Sequence, residues 1–389
     1  MFEKEKLTPA QTVIQSVCRV KKNERVLIIS NPSMASVAQN LYIAAKEVGA
    51  EVVLIFQSVR TVMDNAASEV IAAIKTEPDV ILSISEQKLG KDASAIANPY
   101  IGENGIKYDS IFDYLLEGKK SIRAVWTPGL TEDMFERTVC IDYKQLSSTC
   151  EKLCKKYEGV DYVHVTSAGG TDVKVPVFGR KAFVDDGDFS KAGTGGNIPS
   201  GEVFISPLVV KENSSSRNLE ENNTEIKNPP ESSGTEGTIV FDGSMTFSDG
   251  DALLEKPIKV ELKNGFITDI NGGEEAKRLL KSITDAEKSA LAMEKEGSLP
   301  EGKGTVYARN ARGIGELGIG LNPAAIISGN MLEDEKAFRT CHFAIGMNYD
   351  GDAPCLIHLD GVVRNPTIVF HYKDGSEFMV LNEGRLEKF

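Results

Sequence analysis

Histidine is scarce in this chain: only His164, His342, His358 and His371 occur in 389 residues. Glycine is missing from the first expected strand-to-helix turn, "ISNPSMAS". A dinucleotide site needs a glycine-rich turn so that the backbone can approach a pyrophosphate. The G-x-x-x-x-G-K-[ST] phosphate loop is absent too. The amino-terminal α/β region therefore reads as a scaffold, or one wall of a cleft, rather than a nucleotide site. The six cysteines are scattered and form no C-x-x-C. Cys150 and Cys154 lie one helical turn apart without other ligands nearby, so they read as two buried helix cysteines rather than a zinc knuckle. That usage fits a reducing cytoplasm. No apolar run approaches a membrane span, and the first residues, "MFEKEKLTPAQ", offer no apolar core for a secretory signal. Basic residues are outnumbered 44 to 57, a net charge of -13. No domain presents the basic field that a nucleic-acid partner requires.

What is present is an ordinary soluble composition, 41% hydrophobic and 26% charged, long enough for two or three domains. The first part alternates strand and helix. Glu24–Ser30, Glu51–Phe56, Val80–Ser85 and Ser121–Pro128 read as short apolar strands. Ser33–Ala50, ended by Gly49, and Asn65–Asp79 read as helices. This pattern predicts a Rossmann-like, doubly wound parallel-sheet α/β domain over residues 1–160. From Asp161 onward the pattern becomes strand-rich with glycine and aspartate turns. A mixed, mostly antiparallel α+β domain over 161–389 is expected. Its features are a helix at Glu274–Lys295, a hairpin turn at Lys263–Gly265 and strands through "GTVYARNARGIGELGIG". The polar, helix-poor stretch Lys211–Gly237 reads as a surface insertion.

Ligand-capable residues gather beside glycines in this second domain. Glu202 follows Gly201 in "GNIPSGEVF". Glu316 is the one charge within "GIGELGIG". Both stand alone among small or apolar neighbours. A buried carboxylate must be paired, protonated or bound to a cation. His342 and His358 lie within seventeen residues of one another, in "CHFAIGMNYDGDAPCLIHLDG". His358 and Asp360 form an H-x-D triplet, and on a strand positions i and i+2 face one side. Taken singly, His342 reads as a satisfied core histidine and each glutamate as a salt-bridge or turn residue. Together they make a donor set suited to Zn, Co, Mn or Fe rather than a thiolate site. Cys341 and Cys355 are rival ligands. His164 reads as structural or supporting, and His371 as close to a surface turn.

The ordered pieces GNIPSGEVF, GIGELGIGLNP, His342, Tyr349 and H-x-D resemble the aminopeptidase T family of metallopeptidases. The stretch His164–Arg180 extends the likeness over most of the chain. The resemblance implies that Glu202, Glu316, His342, His358 and Asp360 hold two divalent metal ions, and that Tyr349 is an active-site tyrosine. It implies hydrolysis of the first peptide bond of substrates with a free N-terminus. Activated water would attack, Glu202 or Glu316 would bridge or accept a proton, and Tyr349 would donate to the oxyanion. A cytoplasmic homodimer without nucleic-acid or membrane partners is expected. Departures from the family pattern fall at His358–Gly361, where the triplet is His-Leu-Asp followed by glycine, and in the long stretch between Glu202 and Glu316. The alternative is a ring-cleaving dioxygenase of the dihydroxypyridine type. There His342, His358 and Asp360 would hold one iron, and the two glutamates would support or contact substrate.

Overall fold

The computed structural model describes residues 6–61, 64–103, 105–210 and 234–388. Most of the expected insertion, residues 211–233, lies outside the described residues. The remainder of it runs into a strand, Glu236–Phe241.

The first sheet has five parallel strands in the order Gly195–Asn197, Arg123–Trp126, Val80–Ile84, Arg25–Ser30, Glu51–Phe56. Alternate residues along the strands enter two separate cores. Val26, Ile28 and Leu82 pack on one face, and Leu27, Ile29 and Ile81 on the other. Both faces are covered, which explains why these strands read as continuous apolar runs. The doubly wound fold class is as the sequence predicts. The helix Ala35–Val48 ends on Gly49, whose left-handed φ of 89° a residue with a side chain would adopt only with strain.

Three elements differ from expectation. The residues before Ala35 form a 3-10 turn, Pro32–Met34. The helix expected over Asn65–Asp79 spans only Ser68–Ile74, because the Ala66 amide donates to the Lys91 carbonyl and holds the preceding residues extended. Thr305, Val306 and Tyr307 have strand-forming side chains but lie in a helix, Lys303–Asn310. There tertiary packing decides: a Cβ on Gly304 would lie 2.7 Å from the Ala290 carbonyl oxygen, so glycine lets this helix close onto Glu274–Lys295.

The chain crosses back into the first sheet once, at Gly195–Asn197. The rest of the second half builds two antiparallel sheets. An eight-stranded one includes Val160–Thr166, Ile258–Lys263, Phe266–Asn271 and Thr367–Tyr372. The expected hairpin turn at Asn264–Gly265 joins its Ile258–Lys263 and Phe266–Asn271 strands. A seven-stranded sheet carries the candidate site. Its successive strands include His358–Arg364, Thr340–Gly346, Ile314–Gly320, Glu202–Ile205 and Phe183–Asp185. Among the described residues no helix is long and apolar enough to cross a membrane.

Candidate metal centre

The register of the seven-stranded sheet gathers the sequence-distant residues. Asp360 pairs with Ala344, Ala344 with Glu316, Gly318 with His342, and Glu202 with both Gly320 and Asp185. Directly opposed residues point to the same face. Asp360, Glu316, His342, Glu202 and Asp185 therefore share one face, together with His358, two residues before Asp360. The smallest residues on that face make room for the largest. A Cβ on Gly318 would fall 2.0 Å from His342 Nε2, so the imidazole lies directly over this glycine. Gly320 is under similar constraint, since its Cβ would meet the Ala337 carbonyl oxygen at 2.1 Å. The glycine-rich run around Glu316 is thus a floor for other chain segments.

The side chains form two adjacent triads, Glu202–Glu335–His342 and Glu316–His358–Asp360. Within each, one donor atom from every residue lies within 4.8 Å of the others. Glu316 stands between the two histidines. Its Oε1 is 3.0 Å from His342 Nε2 and its Oε2 is 3.4 Å from His358 Nε2. His342 Nε2 is also 3.4 Å from Glu202 Oε2, and His358 Nε2 is 3.4 Å from Asp360 Oδ1. His358 Nδ1 donates to the Met347 carbonyl at 2.8 Å. That bond fixes the tautomer and leaves Nε2 facing the carboxylates.

Three members of the cluster, Asp185, Glu335 and Lys336, carry no sequence motif. Glu335 caps the short helix Met331–Asp334. Lys336, fully buried, reaches Glu202 Oε1, Glu335 Oε1 at 2.7 Å and Asp185 Oδ2 at 3.4 Å. The signal for Glu335 and Lys336 was an acidic run ending in lysine, "EDEK", six residues before His342. Its other acids serve the fold: Glu333 pairs with Arg137, and Asp334 accepts from the Ser328 and Gly329 amides.

The electrostatics follow from this crowding. Burial opposes ionisation of Glu316, but hydrogen bonds from His342 and His358 outweigh it and bring its pKa down to about 2. Burial also disfavours a charged His342, yet the Glu316 hydrogen bond and the Glu202 charge push it up to about 9. His358 is raised well above its ordinary value; burial works against this, and the Asp360 and Glu316 carboxylates prevail. Burial lifts Asp185 to about 7 and Glu335 to about 8. The carboxylates thus draw protons onto both imidazoles and retain some themselves, in the positions where cations would neutralise them. Glu202 Oε2, Asp360 Oδ1 and His342 Nδ1 are buried without a hydrogen-bond partner. Glu202 Oε2 and Asp360 Oδ1, buried and each approached by an imidazole nitrogen no nearer than 3.4 Å, fit a bound cation. The two triads together make a two-ion divalent-metal site.

Tyr349 does not join either triad. It lies in the loop after Thr340–Gly346, its side chain about half exposed. Arg180 pairs with Asp350 at 3.7 Å and Asp352 at 2.9 Å and fastens that loop. The Tyr349 ring meets His358 edge-on at 5.3 Å and Phe204 at 5.1 Å. Cys341 and Cys355 belong to neither triad. Cys341 alternates to the opposite face from His342. Cys150 and Cys154 sit on the helix Tyr143–Lys156. His164 bonds Asp172 at 2.7 Å in the other antiparallel sheet, and His371 stacks on Tyr162 beside the turn at its strand end.

No protein-family model matches the chain, and no curated protein matches it in sequence. Solved structures do. 2,5-Dihydroxypyridine dioxygenase from Pseudomonas putida KT2440 aligns with a TM-score of 0.63 at 18% identity, over 97% of this chain and 96% of its own. Wild-type AmpT from Thermus thermophilus aligns with a TM-score of 0.61 at 15% identity, over 97% of this chain and 98% of its own. The class defined here is therefore a two-part α/β and antiparallel fold bearing a two-ion divalent-metal site. The fold is shared with both proteins at full length.

Proposed function

We propose that this protein is a metal-dependent aminopeptidase related to the aminopeptidase T family, acting on peptides with a free N-terminus. The observation that carries the reading is Glu316, with one oxygen toward each of two histidines that belong to different triads. A shared carboxylate between two donor sets is the arrangement of a two-ion hydrolase. Charge supports it. Asp185, Glu202, Glu316, Glu335 and Asp360 contribute five negative charges when ionised, and Lys336 one positive. Two divalent cations balance the remainder. One would balance the cluster only with Asp185 and Glu335 both protonated.

Glu202, Glu335 and His342 would hold one ion, His358 and Asp360 the other, with Glu316 between them. When bound, such ions polarise a carbonyl and lower the pKa of water to near neutrality, which supplies the nucleophile. Lys336 holds Glu202 by Oε1, which leaves Oε2 as the oxygen that would hold the ion. The Tyr349 hydroxyl would donate to the developing oxyanion from the loop that Arg180 fastens. Carboxylates around the ions favour a substrate with a free amine. Zn, Co or Mn suits the donor set. A homodimer in the cytoplasm completes the reading.

The single-iron dioxygenase needs His342, His358 and Asp360 on one ion. The two imidazoles join different carboxylate triads instead, which favours the hydrolase although both comparison structures share the fold. The test is release of the first residue from unblocked and N-acetylated peptides by Zn-, Co- or Mn-loaded protein. Cleavage of the unblocked peptide alone supports the reading. Oxygen uptake with a dihydroxypyridine, and no peptide cleavage, overturns it.

A further inference from the structure

The amino-terminal sheet carries a second cavity, of about 450 Å³, which the metal centre does not use. It opens at the carboxyl ends of Val80–Ile84 and Arg123–Trp126. Open parallel sheets bind ligands at that edge, because the strands end there and the following loops are free to line a crevice. The volume is in the range of small-molecule sites.

The lining is divided. Ser83, Ser85, Phe112 and Leu116 are buried, and Trp126 is half-buried. The Trp126 and Phe112 rings meet edge to face at 6.1 Å, forming an aromatic wall. The Ser83 and Ser85 hydroxyls lie 3.2 Å apart beside it. Around the mouth are exposed charges of both signs: Lys88, Lys91, Asp109 and Asp113. None of the four is in a direct ion pair among the described residues. Gly90 is the one glycine among the lining residues, so no glycine-rich turn cradles a pyrophosphate here. An aromatic wall with unpaired charges of both signs at its edge suits a small zwitterion bearing a flat ring.

The geometry points to a binding site for a free aromatic amino acid in this cavity. The ring would pack against Trp126 and Phe112, the carboxylate would face Lys88 and Lys91, and the ammonium would face Asp109 and Asp113. This assignment is independent of the metal centre and of any hydrolysis there.

Trp126 is the protein's only tryptophan, so its emission reports on this wall alone. The experiment is a titration of the full chain, metal-free and metal-loaded, with L-phenylalanine, L-leucine, phenethylamine and 3-phenylpropionate. L-Phenylalanine should give a saturable change in emission in both forms. Leucine and the two singly charged analogues should bind several-fold more weakly. Phe112→Ala should weaken L-phenylalanine about threefold to tenfold, the worth of one aromatic contact. Trp126→Phe keeps a ring in the wall and should still bind by calorimetry, which guards against a fluorescence artefact. A linear, unsaturable response to L-phenylalanine overturns the assignment. So does equal binding of leucine, or equal binding by Phe112→Ala with its fold intact by circular dichroism. None of these outcomes bears on the metallopeptidase reading, which stands or falls on metal content and peptide cleavage.

Discussion

Gly318→Ala is the sharpest perturbation of the centre. The added methyl would sit 2.0 Å from His342 Nε2 and 2.1 Å from its Cε1. Ordinary contact is roughly 3.5 Å, so ring and methyl must separate by about 1.5 Å. Gly318 lies in the middle of a fully buried strand, so the backbone has little room to yield. The imidazole must move, and a metal–nitrogen bond of about 2.0–2.1 Å does not survive a shift of that size. The overpacking should cost about 1–3 kcal/mol of stability, small enough for the protein to fold. The functional cost should be larger, because a misplacement of about 1 Å in a reacting site costs on the order of 100-fold. We expect Gly318→Ala to purify folded and to bind one ion normally, through Glu316, His358 and Asp360. Its second ion should bind at least about 100-fold more weakly. Calorimetric titration of metal-free protein with Zn²⁺ or Co²⁺, beside a denaturation curve, separates the two effects. Two undiminished binding steps would refute the placement of His342 over Gly318 as a ligand.

Proton competition gives a second prediction. His342 and His358 are raised in the folded chain, so the stability they contribute is complete below about 6.5; the His342 part is lost as pH rises through about 9, and the His358 part as pH rises through its own raised value. Metal-free protein should therefore melt at lower temperature as pH rises across that window. Metal affinity should increase over the same window as the imidazoles deprotonate, and a flat apo melting profile would contradict this. Lys336→Met leaves Asp185, Glu202 and Glu335 without their cation, and should destabilise the metal-free chain by about 3–5 kcal/mol in chemical denaturation. Metal should recover part of that loss, and a neutral effect would refute the buried cluster. Tyr349→Phe should lower kcat of peptide cleavage by about 100- to 1000-fold with KM little changed, and an unchanged kcat would remove the tyrosine from the reaction.

Much of this was legible in the sequence for reasons that are local. Apolar strands buried on both faces announce themselves as runs such as "VLII", and Glu274–Lys295 by its helical period. Glu316 stood out because a charge among glycines and isoleucines has no solvent to face. His358 and Asp360 share a face through the period of a strand. Glu335 and Lys336 were hidden because their approach depends on a turn and a sheet register, not on spacing within one element. Their run "EDEK" looks like a solvated surface. The helix Lys303–Asn310 was hidden for a different reason: Thr305, Val306 and Tyr307 favour strands locally, and packing against the preceding helix, Glu274–Lys295, reverses that preference. The role of Gly318 was equally unreadable, since its constraint comes from a residue on the neighbouring strand.

The proposed hydrolase rests on two ions sharing Glu316. Its most direct test is metal content per chain, by elemental mass spectrometry, on protein purified without chelator and again after reloading. We expect two Zn, Co or Mn ions per chain, falling together on Glu316→Gln. One iron per chain, or no metal even after reloading, would contradict it.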